Sequence, residues 1–356
     1  VSALLLMSQV DVAKDPDRWL RARRGGVTAS EIAAVLGIAP NSHNCASPFA
    51  LYVAKTTGKE PHFETDETKR GKHLEPYVAD VFAGLRPELD VCDGGLYCRE
   101  ERPWQMATFD RIAVDRSGPG WLAIGNMMDA RRLPDQAVMP VQIKTSATTR
   151  NHPDPELHWG EPGTSDIPAH YRAQALYEMD ILGAEAVLVP CLFVAEWQVH
   201  TYVIDRDADS EADMTLMRAE AESFMTRIAE DDPPPIDWTP STTKALRTIH
   251  PMQPGVEGFI TRRLADRYAA AQRLNRKAEK TMGQVTNDIL AATSGARFIM
   301  TRVGGVPVKV ASRAVYEQES TDVDKLRTRH KRAFKASRRK TPVDKLIPGT
   351  WARAPK

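Results

Sequence analysis

The sequence predicts an α/β fold, a mixed central sheet flanked by helices, with a C-terminal extension of helix and β-hairpin. Three observations carry that expectation. From residue 16 to residue 230, segments with apolar residues at helical spacing alternate with short runs of β-branched and apolar residues. The stretch DDPPPIDWTP at 231–240 breaks the pattern, because three consecutive prolines cannot continue a helix and favour extended polyproline. Past that break comes one long helical stripe and then a glycine-centred hairpin signal. Of the 356 residues, 42% are hydrophobic, enough for a sizeable core.

The elements follow in order. Residues 16–37 read as an entry loop and a helix, with Thr28 and Ser30 as N-cap candidates, Glu31 adding first-turn negative charge and Gly37 ending the run. SPFALYVAKTTG (47–58) is a short helix closed by Gly58. From Thr65 to about Leu85, the residues Leu74, Val78, Val81, Phe82 and Leu85 recur at helical spacing. GLYCRE (95–100), QMATFDRIAV (105–114), WLAIGNM (121–127) and VMPVQIKTS (138–146) are strand candidates. A Pro- and Gly-rich loop spans 151–168, and a connection that long is usually functional or mobile. A helix from Ala169 to Leu182, a hairpin over 186–205 and an amphipathic helix over 208–230 complete the first domain. The boundaries therefore fall as 1–230 for that domain, 231–241 for a Pro-rich linker, 242–324 for the extension and 325–356 for a tail. Within the extension, Ile260, Leu264, Tyr268, Ala271, Leu274, Ala278, Met282, Val285 and Ile289 form a narrow stripe suited to a helical hairpin or coiled coil. FIMTR and VPVKV flank Gly304 and Gly305 as a hairpin.

The net charge of +1 hides an asymmetry. Positions 325–356 hold 12 Lys and Arg and one acid, Asp344, which leaves 36 basic and 46 acidic residues for positions 1–324. Such a tail suits contact with a polyanion or an acidic surface; a solvated, partly disordered end is the bland alternative. Cys45, Cys92, Cys98 and Cys191 show no CxxC spacing, which argues against a zinc site or a disulfide framework and fits a reducing cytoplasm. The apolar run ALLLM is too short for a signal-peptide core, and no 18-residue apolar span exists, so a soluble protein without a membrane partner is expected. GxxxxGK[ST] is absent, so nothing points to a nucleotide-driven motor.

Four segments fall in an order that assembles one site: RGKHLE (70–75) on a helix, TFD (108–110) on a strand, QIK (142–144) on the next strand and YRAQALY (171–177) on the following helix. Phosphodiester hydrolysis needs hard oxygen ligands for Mg²⁺, and a cation or acid near the attacking water and leaving oxygen. Glu75 and Asp110 supply carboxylates, and Lys144 shares a strand face with Gln142 two residues before it. Each piece alone is weak, since a helix glutamate is usually a solvated-face residue and an apolar strand with a lysine is common. The ordered set is much rarer.

Those segments resemble the phage lambda exonuclease / YqaJ-type viral recombinase family of the PD-(D/E)XK nuclease superfamily, over roughly residues 20–230. RRGGVTAS is similar to the family's opening R-x-G-x-x-[ST]-A-S, with Arg23 and Ser30 at its ends. RGKHLE matches RG-x-x-x-E and gives Glu75; ATFD matches S-P-D-G and gives Asp110; QIKT matches E-[IL]-K-[TC] and gives Gln142 and Lys144. AQALYEM matches the helix motif A-Q-V-Q-x-x-M and gives Gln174, and YVIDRD has the look of the closing strand. The resemblance implies a PD-(D/E)XK, restriction-endonuclease-like core. It also implies a Mg²⁺-dependent deoxyribonuclease that digests linear duplex DNA ends 5′→3′ to leave single-stranded tails for recombination.

The chain departs from the pattern in three places. Phe109 and Arg111 replace the usual Pro and Gly around Asp110. About 30 residues, Asp129 among them, separate Asp110 from Gln142, far more than the family usually has. Above all, Gln142 stands where the family has a carboxylate. An amide oxygen is a hard neutral ligand, so the geometry survives while one negative charge is lost. Three readings follow: an active nuclease with a tuned site, an inactive DNA-end binder, or a misaligned motif whose real acid lies elsewhere. Glu100 and Asp129 are the candidates to compensate. An endonuclease of the same fold is a further alternative.

Under the leading reading, two Mg²⁺ ions, with Mn²⁺ able to substitute, are held by Glu75, Asp110, the Gln142 side-chain oxygen and the Ile143 carbonyl. Lys144 orients water and offsets transition-state charge. The resemblance implies that Arg23 and Ser30 grip the 5′-phosphate; a guanidinium and a hydroxyl near a helix start suit an anion, while a surface arginine and an N-cap are the bland readings. Gln174 and Tyr171 contact substrate or support the site, or simply pack. His73, beside Glu75, has no role that a metal-dependent nuclease requires. Trp159 either stacks on a base or is buried under its loop. The resemblance also implies a homo-oligomer, a single-strand annealing protein as partner, and a phage- or prophage-encoded protein acting in the bacterial cytoplasm.

Overall fold

The run ALLLM is a strand. In the computed structural model, which describes residues 2–41, 45–59, 66–117, 132–134, 138–152, 154, 157–321 and 338–348, it forms β1 (Ser2–Ser8). Then come α1 (Gln9–Lys14), α2 (Pro16–Arg23), β2 (Val27–Thr28), a 3₁₀ turn at Ala29–Glu31, α3 (Ile32–Val35), α4 (Pro48–Thr57) and α5 (Asp66–Leu85). The sheet is extended by β3 (Leu89–Arg99), β4 (Arg102–Asp115), β5 (Arg132–Pro134), β6 (Met139–Val141) and β7 (Lys144–Ser146). After them come α6 (Ala169–Leu182), β8 (Ala186–Phe193), β9 (Gln198–Asp205), α7 (Ala208–Glu230) and α8 (Pro240–Ile249). Local signals set the ends: Ser47 caps α4 through the Ala50 N–H, Pro48 starts it, and Gly58 at φ +67° closes it in the left-handed region that favours glycine.

The strands join in the order β5-β1-β3-β4-β6-β8-β7, with β2 beside β4 and β9 beside β8. Most neighbours are antiparallel, but β6 and β7 both run parallel to β8, so the sheet is mixed as expected. Helices cover both faces. On one, Val78 and Phe82 of α5 pack with Ala113, Val141, Ile143, Leu188 and Leu192. On the other, Ala173, Leu176 and Tyr177 of α6 join Ala107, Phe109, Val187, Val189, Cys191 and Phe193. Helix α6 is buried nearly all round, with ten of its fourteen residues inside.

One of those ten, Asp180, fixes the helix in place. Its carboxylate lies 2.6 Å from Arg218, 3.6 Å from Arg102 and 3.9 Å from Arg206, and it accepts the Gln105 side-chain N–H at 2.6 Å. A buried carboxylate needs such partners, because desolvation would otherwise drive it to neutrality.

The structure departs from the sequence expectations at two boundaries. The prolines at 233–235 do not end the first unit, because the chain returns as α8. Ala245 of α8 packs with Phe49, Ala50 and Val53, the Ser241 hydroxyl accepts the Ala46 N–H at 3.0 Å, and Ser47 and Thr242 share a hydrogen bond of 2.7 Å. The two compact units therefore divide between Gln253 and Pro254, later than the expected 231–241 linker. Residues 338–348, expected in a basic tail, form β12 (Arg338–Pro348). It runs antiparallel to β11 (Val306–Thr321), pairing from Ala311↔Pro348 to Thr321↔Arg338. The expected strand 121–127, and Asp129 after it, lie outside the described residues. The 151–168 loop is tied to β9 where it is described, with Gly163 N–H donating to the Thr201 carbonyl at 2.8 Å and Val203 N–H to the Thr164 carbonyl at 3.2 Å.

In the second unit, α9 (Arg262–Thr293) precedes the expected hairpin, in which β10 (Phe298–Val303) pairs with β11. None of the α9 residues is buried, and Leu264, Tyr268, Leu274, Met282 and Val285 of the stripe are exposed. Among the described residues, no helix is long and apolar enough to cross a membrane.

Asp180→Ala would remove the buried carboxylate that Arg218, Arg206 and Arg102 share, leaving them the more exposed Glu211 and Glu101. We expect it to lower the free energy of urea unfolding by roughly 2–4 kcal/mol. A loss below about 0.5 kcal/mol would show that the cluster does not anchor α6.

Candidate active site

The site is built around a break in the sheet. Strand β6 pairs with β4 as far as Arg111↔Val141, while β7 resumes at Lys144 against β8 alone. Gln142 and Ile143 lie in the gap. The Gln142 N–H still reaches the Leu188 carbonyl at 2.9 Å, but the Ile143 N–H instead donates to Asp110 Oδ2 at 2.8 Å. Burial pushes the Asp110 carboxyl up, and Lys144, the Ile143 N–H and Arg111 pull it back only in part.

Glu75 arrives from α5. Burial and the charge of Asp110 raise its pKa, against the pull of Arg111 and Lys144. Arg111 lies 3.0 Å from Glu75 Oε1 and 3.6 Å from Asp93, and it donates to the Asp110 carbonyl at 2.6 Å. Arg111 therefore ties the Glu75 carboxylate to the backbone of Asp110.

Lys144 points to the α6 face. Its Nζ donates to Gln174 Oε1 at 3.2 Å and lies 4.9 Å from the centre of the Tyr171 ring. Gln174 in turn donates through Nε2 to Glu178 Oε1 at 2.9 Å. Glu178 is 2% exposed, and its Oε2 has no partner among the described residues. Burial and then Asp110 push its pKa up to about 8, against Lys144 and the Gln174 hydrogen bond. Gln142 is 1% exposed, and neither its amide nitrogen nor its oxygen has a partner among the described residues. Strand alternation gives it the face of Lys144, since Val141 and Ile143 pack with α5 on the other side.

A second cluster lies upstream. Arg23 donates to the Thr28 and Ser30 hydroxyls at 3.0 Å each, stands 3.6 Å from Glu31, and stacks 4.5 Å above the Trp19 ring. Burial opposes ionisation of Glu31, but Lys55 and Arg23 outweigh it and hold its pKa low. Trp19 Nε1 donates to Thr108 Oγ1 at 2.9 Å, two residues before Asp110 on the same strand.

The structure thus brings together Glu75, Asp110, Ile143, Lys144, Gln174 and Tyr171, and separately pairs Arg23 with Ser30. It does not bring in Glu100, which sits in the β3–β4 turn. Eight residues of strand, roughly 26 Å, separate that turn from Asp110. Trp159 is buried against Tyr171, Phe193 and Tyr202, so the stacking reading gives way to packing. His73 is exposed on α5. Sequence reasoning missed Arg111 and Glu178 as members of the site. The available signal for Glu178 was its i+4 spacing from Gln174 on a helix otherwise rich in apolar residues.

Among the described residues, no three Asp, Glu, His or Cys side chains converge ready to hold an ion. The donors nonetheless suit a hard divalent cation. Asp110 raises the pKa of both Glu75 and Glu178, and a divalent cation would offset that repulsion. The buried amide oxygen of Gln142 is a hard neutral donor that lacks a partner among the described residues.

Glu178 is neutral in the folded chain at pH 7 and ionised in the unfolded one. Its protonation stabilises the fold fully below the ordinary glutamate value of 4.5, and that contribution is lost as pH rises through about 8. With EDTA present, urea unfolding should find Glu178→Gln more stable relative to wild type at about pH 9 than at about pH 5. The same difference at both pH values would mean that Glu178 ionises normally.

Residues 18–185 match the YqaJ-like viral recombinase domain family. Solved structures that match the chain include LHK-Exo, an alkaline exonuclease from Laribacter hongkongensis, in complex with dAMP, at 16% identity over 66% of this chain and 98% of that one, with a TM-score of 0.38. A second structure of LHK-Exo gives 16% identity over 61% and 94%, with a TM-score of 0.38. A phage-related exonuclease from Haemophilus somnus 129PT gives 12% identity over 58% and 96%, also at 0.38. No curated protein matches the chain. The stretch similar to the YqaJ-like viral recombinase domain, residues 18–185, contains the mixed sheet's β2–β7, the helices α5 and α6, and the residues gathered at the break.

Proposed function

We propose that this phage-type nuclease hydrolyses phosphodiester bonds at the ends of linear duplex DNA, working 5′→3′ with Mg²⁺. The observation that carries the reading is the convergence of Glu75, Asp110 and Lys144 on the break at Gln142 and Ile143. Glu75, Asp110, the Gln142 side-chain oxygen and the Ile143 carbonyl would hold the cation. Once bound, it supplies Lewis acidity that lowers the pKa of water and neutralises charge on the phosphate. Lys144, steadied by Gln174 and Tyr171, places an ammonium beside the acids, where it orients water and offsets the charge that develops on the phosphate.

The polarity rests on Arg23 and Ser30. Their shared hydrogen bond puts a guanidinium and a hydroxyl together, a pair that binds a terminal 5′-phosphate. Trp19 links that pair to Thr108, on the strand that carries Asp110. The body of the chain is acidic, so the 12 Lys and Arg of 325–356 are the natural contacts for the DNA backbone. The homo-oligomer and the annealing-protein partner rest on the family resemblance, with the exposed stripe of α9 as the available surface.

A second reading, a DNA-end binder without catalysis, has one observation in its favour: Arg111 already neutralises Glu75. Incubation with 5′-phosphorylated linear duplex and a supercoiled circle separates the two. The nuclease reading expects Mg²⁺-dependent loss of the linear DNA with the circle spared, blocked by EDTA and lowered by at least about a hundredfold in Lys144→Ala. Retained end binding without products at any Mg²⁺ or Mn²⁺ concentration would establish the binder, and loss of the circle would establish an endonuclease.

Arg23→Ala should act on binding. We expect it to raise KM for 5′-phosphorylated ends by about tenfold while leaving 5′-hydroxyl ends nearly unchanged. An equal effect on both ends would remove Arg23 from phosphate recognition.

A further inference from the structure

Two buried polar side chains on the α6 side of the sheet are incompletely satisfied. Among the described residues, Gln142 has neither amide atom paired, and Glu178 has one oxygen unpaired. Buried polar groups are nearly always satisfied, so two such groups on the side to which Lys144 points call for an explanation. Helix α6 packs on the face to which Gln142 and Lys144 point. Tyr171, Gln174 and Glu178 lie at i, i+3 and i+7, along one side of that helix. The first two touch Lys144, and the third is held by the second at 2.9 Å. Glu178 therefore lies on the helix stripe that faces Lys144, one hydrogen bond beyond it through Gln174.

We infer that Glu178 is the third carboxylate of the metal site, supplied from α6 in place of the one that position 142 lacks. This rests on the metal-dependent reading above. Gln174 fixes one Glu178 oxygen and leaves the other free to meet a cation beside Asp110. Gln142 then keeps a neutral amide where a carboxylate would have added a further buried negative charge next to Asp110 and Glu178. The acid has moved from strand to helix, and the number of carboxylates around the ion is conserved.

The test is calorimetric titration of Mn²⁺ into the full chain without DNA, alongside melting temperatures in EDTA to confirm folding. Asp110→Asn is the control and should abolish binding. Glu178→Gln should weaken Mn²⁺ binding by about tenfold or more and shrink the Mn²⁺-induced rise in Tm. Gln142→Glu combined with Glu178→Gln should restore affinity to within about threefold of wild type, which a purely structural role for Glu178 would not allow. Gln142→Glu alone should gain less than about threefold, since the site already has its third carboxylate; a gain of about tenfold would show that the carboxylate is missing. That single variant decides the matter if Glu178→Gln does not fold. Wild-type affinity in Glu178→Gln, with Asp110→Asn silent, overturns this assignment and leaves the nuclease reading intact. Absence of Asp110-dependent Mn²⁺ binding in the wild type overturns the nuclease reading itself.

Discussion

The Ile143 N–H, left without a strand partner where β6 parts from β4, is the constraint on which the site depends. A buried amide must be satisfied, and Asp110 satisfies it at 2.8 Å. That one bond holds the carboxylate at the break, where side chains from both faces of the sheet can meet. Glu75 comes from the helix on one face, and Lys144 with Gln174 from the other. An unbroken β6–β7 strand paired with β4 would have closed that opening. The hydrophobic layers serve the same end, since Val141 and Ile143 are anchored against Val78 and Phe82 and so keep the gap from sliding.

The second constraint is the position of α6. An all-round apolar helix has little preference for one rotation about its axis, and its buried polar residues set the orientation instead. Asp180 is held by Arg218, Arg102, Arg206 and Gln105, and that grip turns Tyr171, Gln174 and Glu178 toward Lys144. The ion cluster lies outside the site, yet it determines which groups reach it. A loop tied to β9 closes over this region, with Trp159 packed on Tyr171 and so backing the ring that faces Lys144.

Much of this was legible in the residues. Helices α5, α6 and α7 and the β8–β9 hairpin follow from spacing and capping, and Glu75, Asp110 and Lys144 from the order of their motifs. What was not legible depends on tertiary partners. ALLLM has no strand signal of its own and becomes β1 because β3 and β5 flank it. Helix α8 hides behind three prolines because proline also starts helices, and Pro240 does so here. Glu100 matches an acidic position of the resembled family, but it lies in the β3–β4 turn, along the strand axis from the gap. Arg111 and Glu178 escaped notice because a motif names the positions a family uses, and these two act here through contacts that the motif does not encode.

Those two residues also bear on why a glutamine at position 142 is compatible with the chemistry. A divalent ion responds to the number of oxygen donors and to the local charge; it has no interest in which element carries them. Around Asp110 the fixed charges are Glu75 and, once an ion favours its ionised form, Glu178, against Arg111 and Lys144. A carboxylate at 142 would add a further buried anion near Asp110 and Glu75 before any ion arrived, with a desolvation cost that the metal-free fold would have to bear. The neutral amide avoids that cost, and Arg111 screens Glu75 in the meantime. Binding of an ion must then displace or share the Arg111 contact, so this site should hold metal less tightly than one with three strand-borne acids. It should also depend more strongly on DNA phosphates to complete the coordination, and that couples metal binding to the presence of substrate.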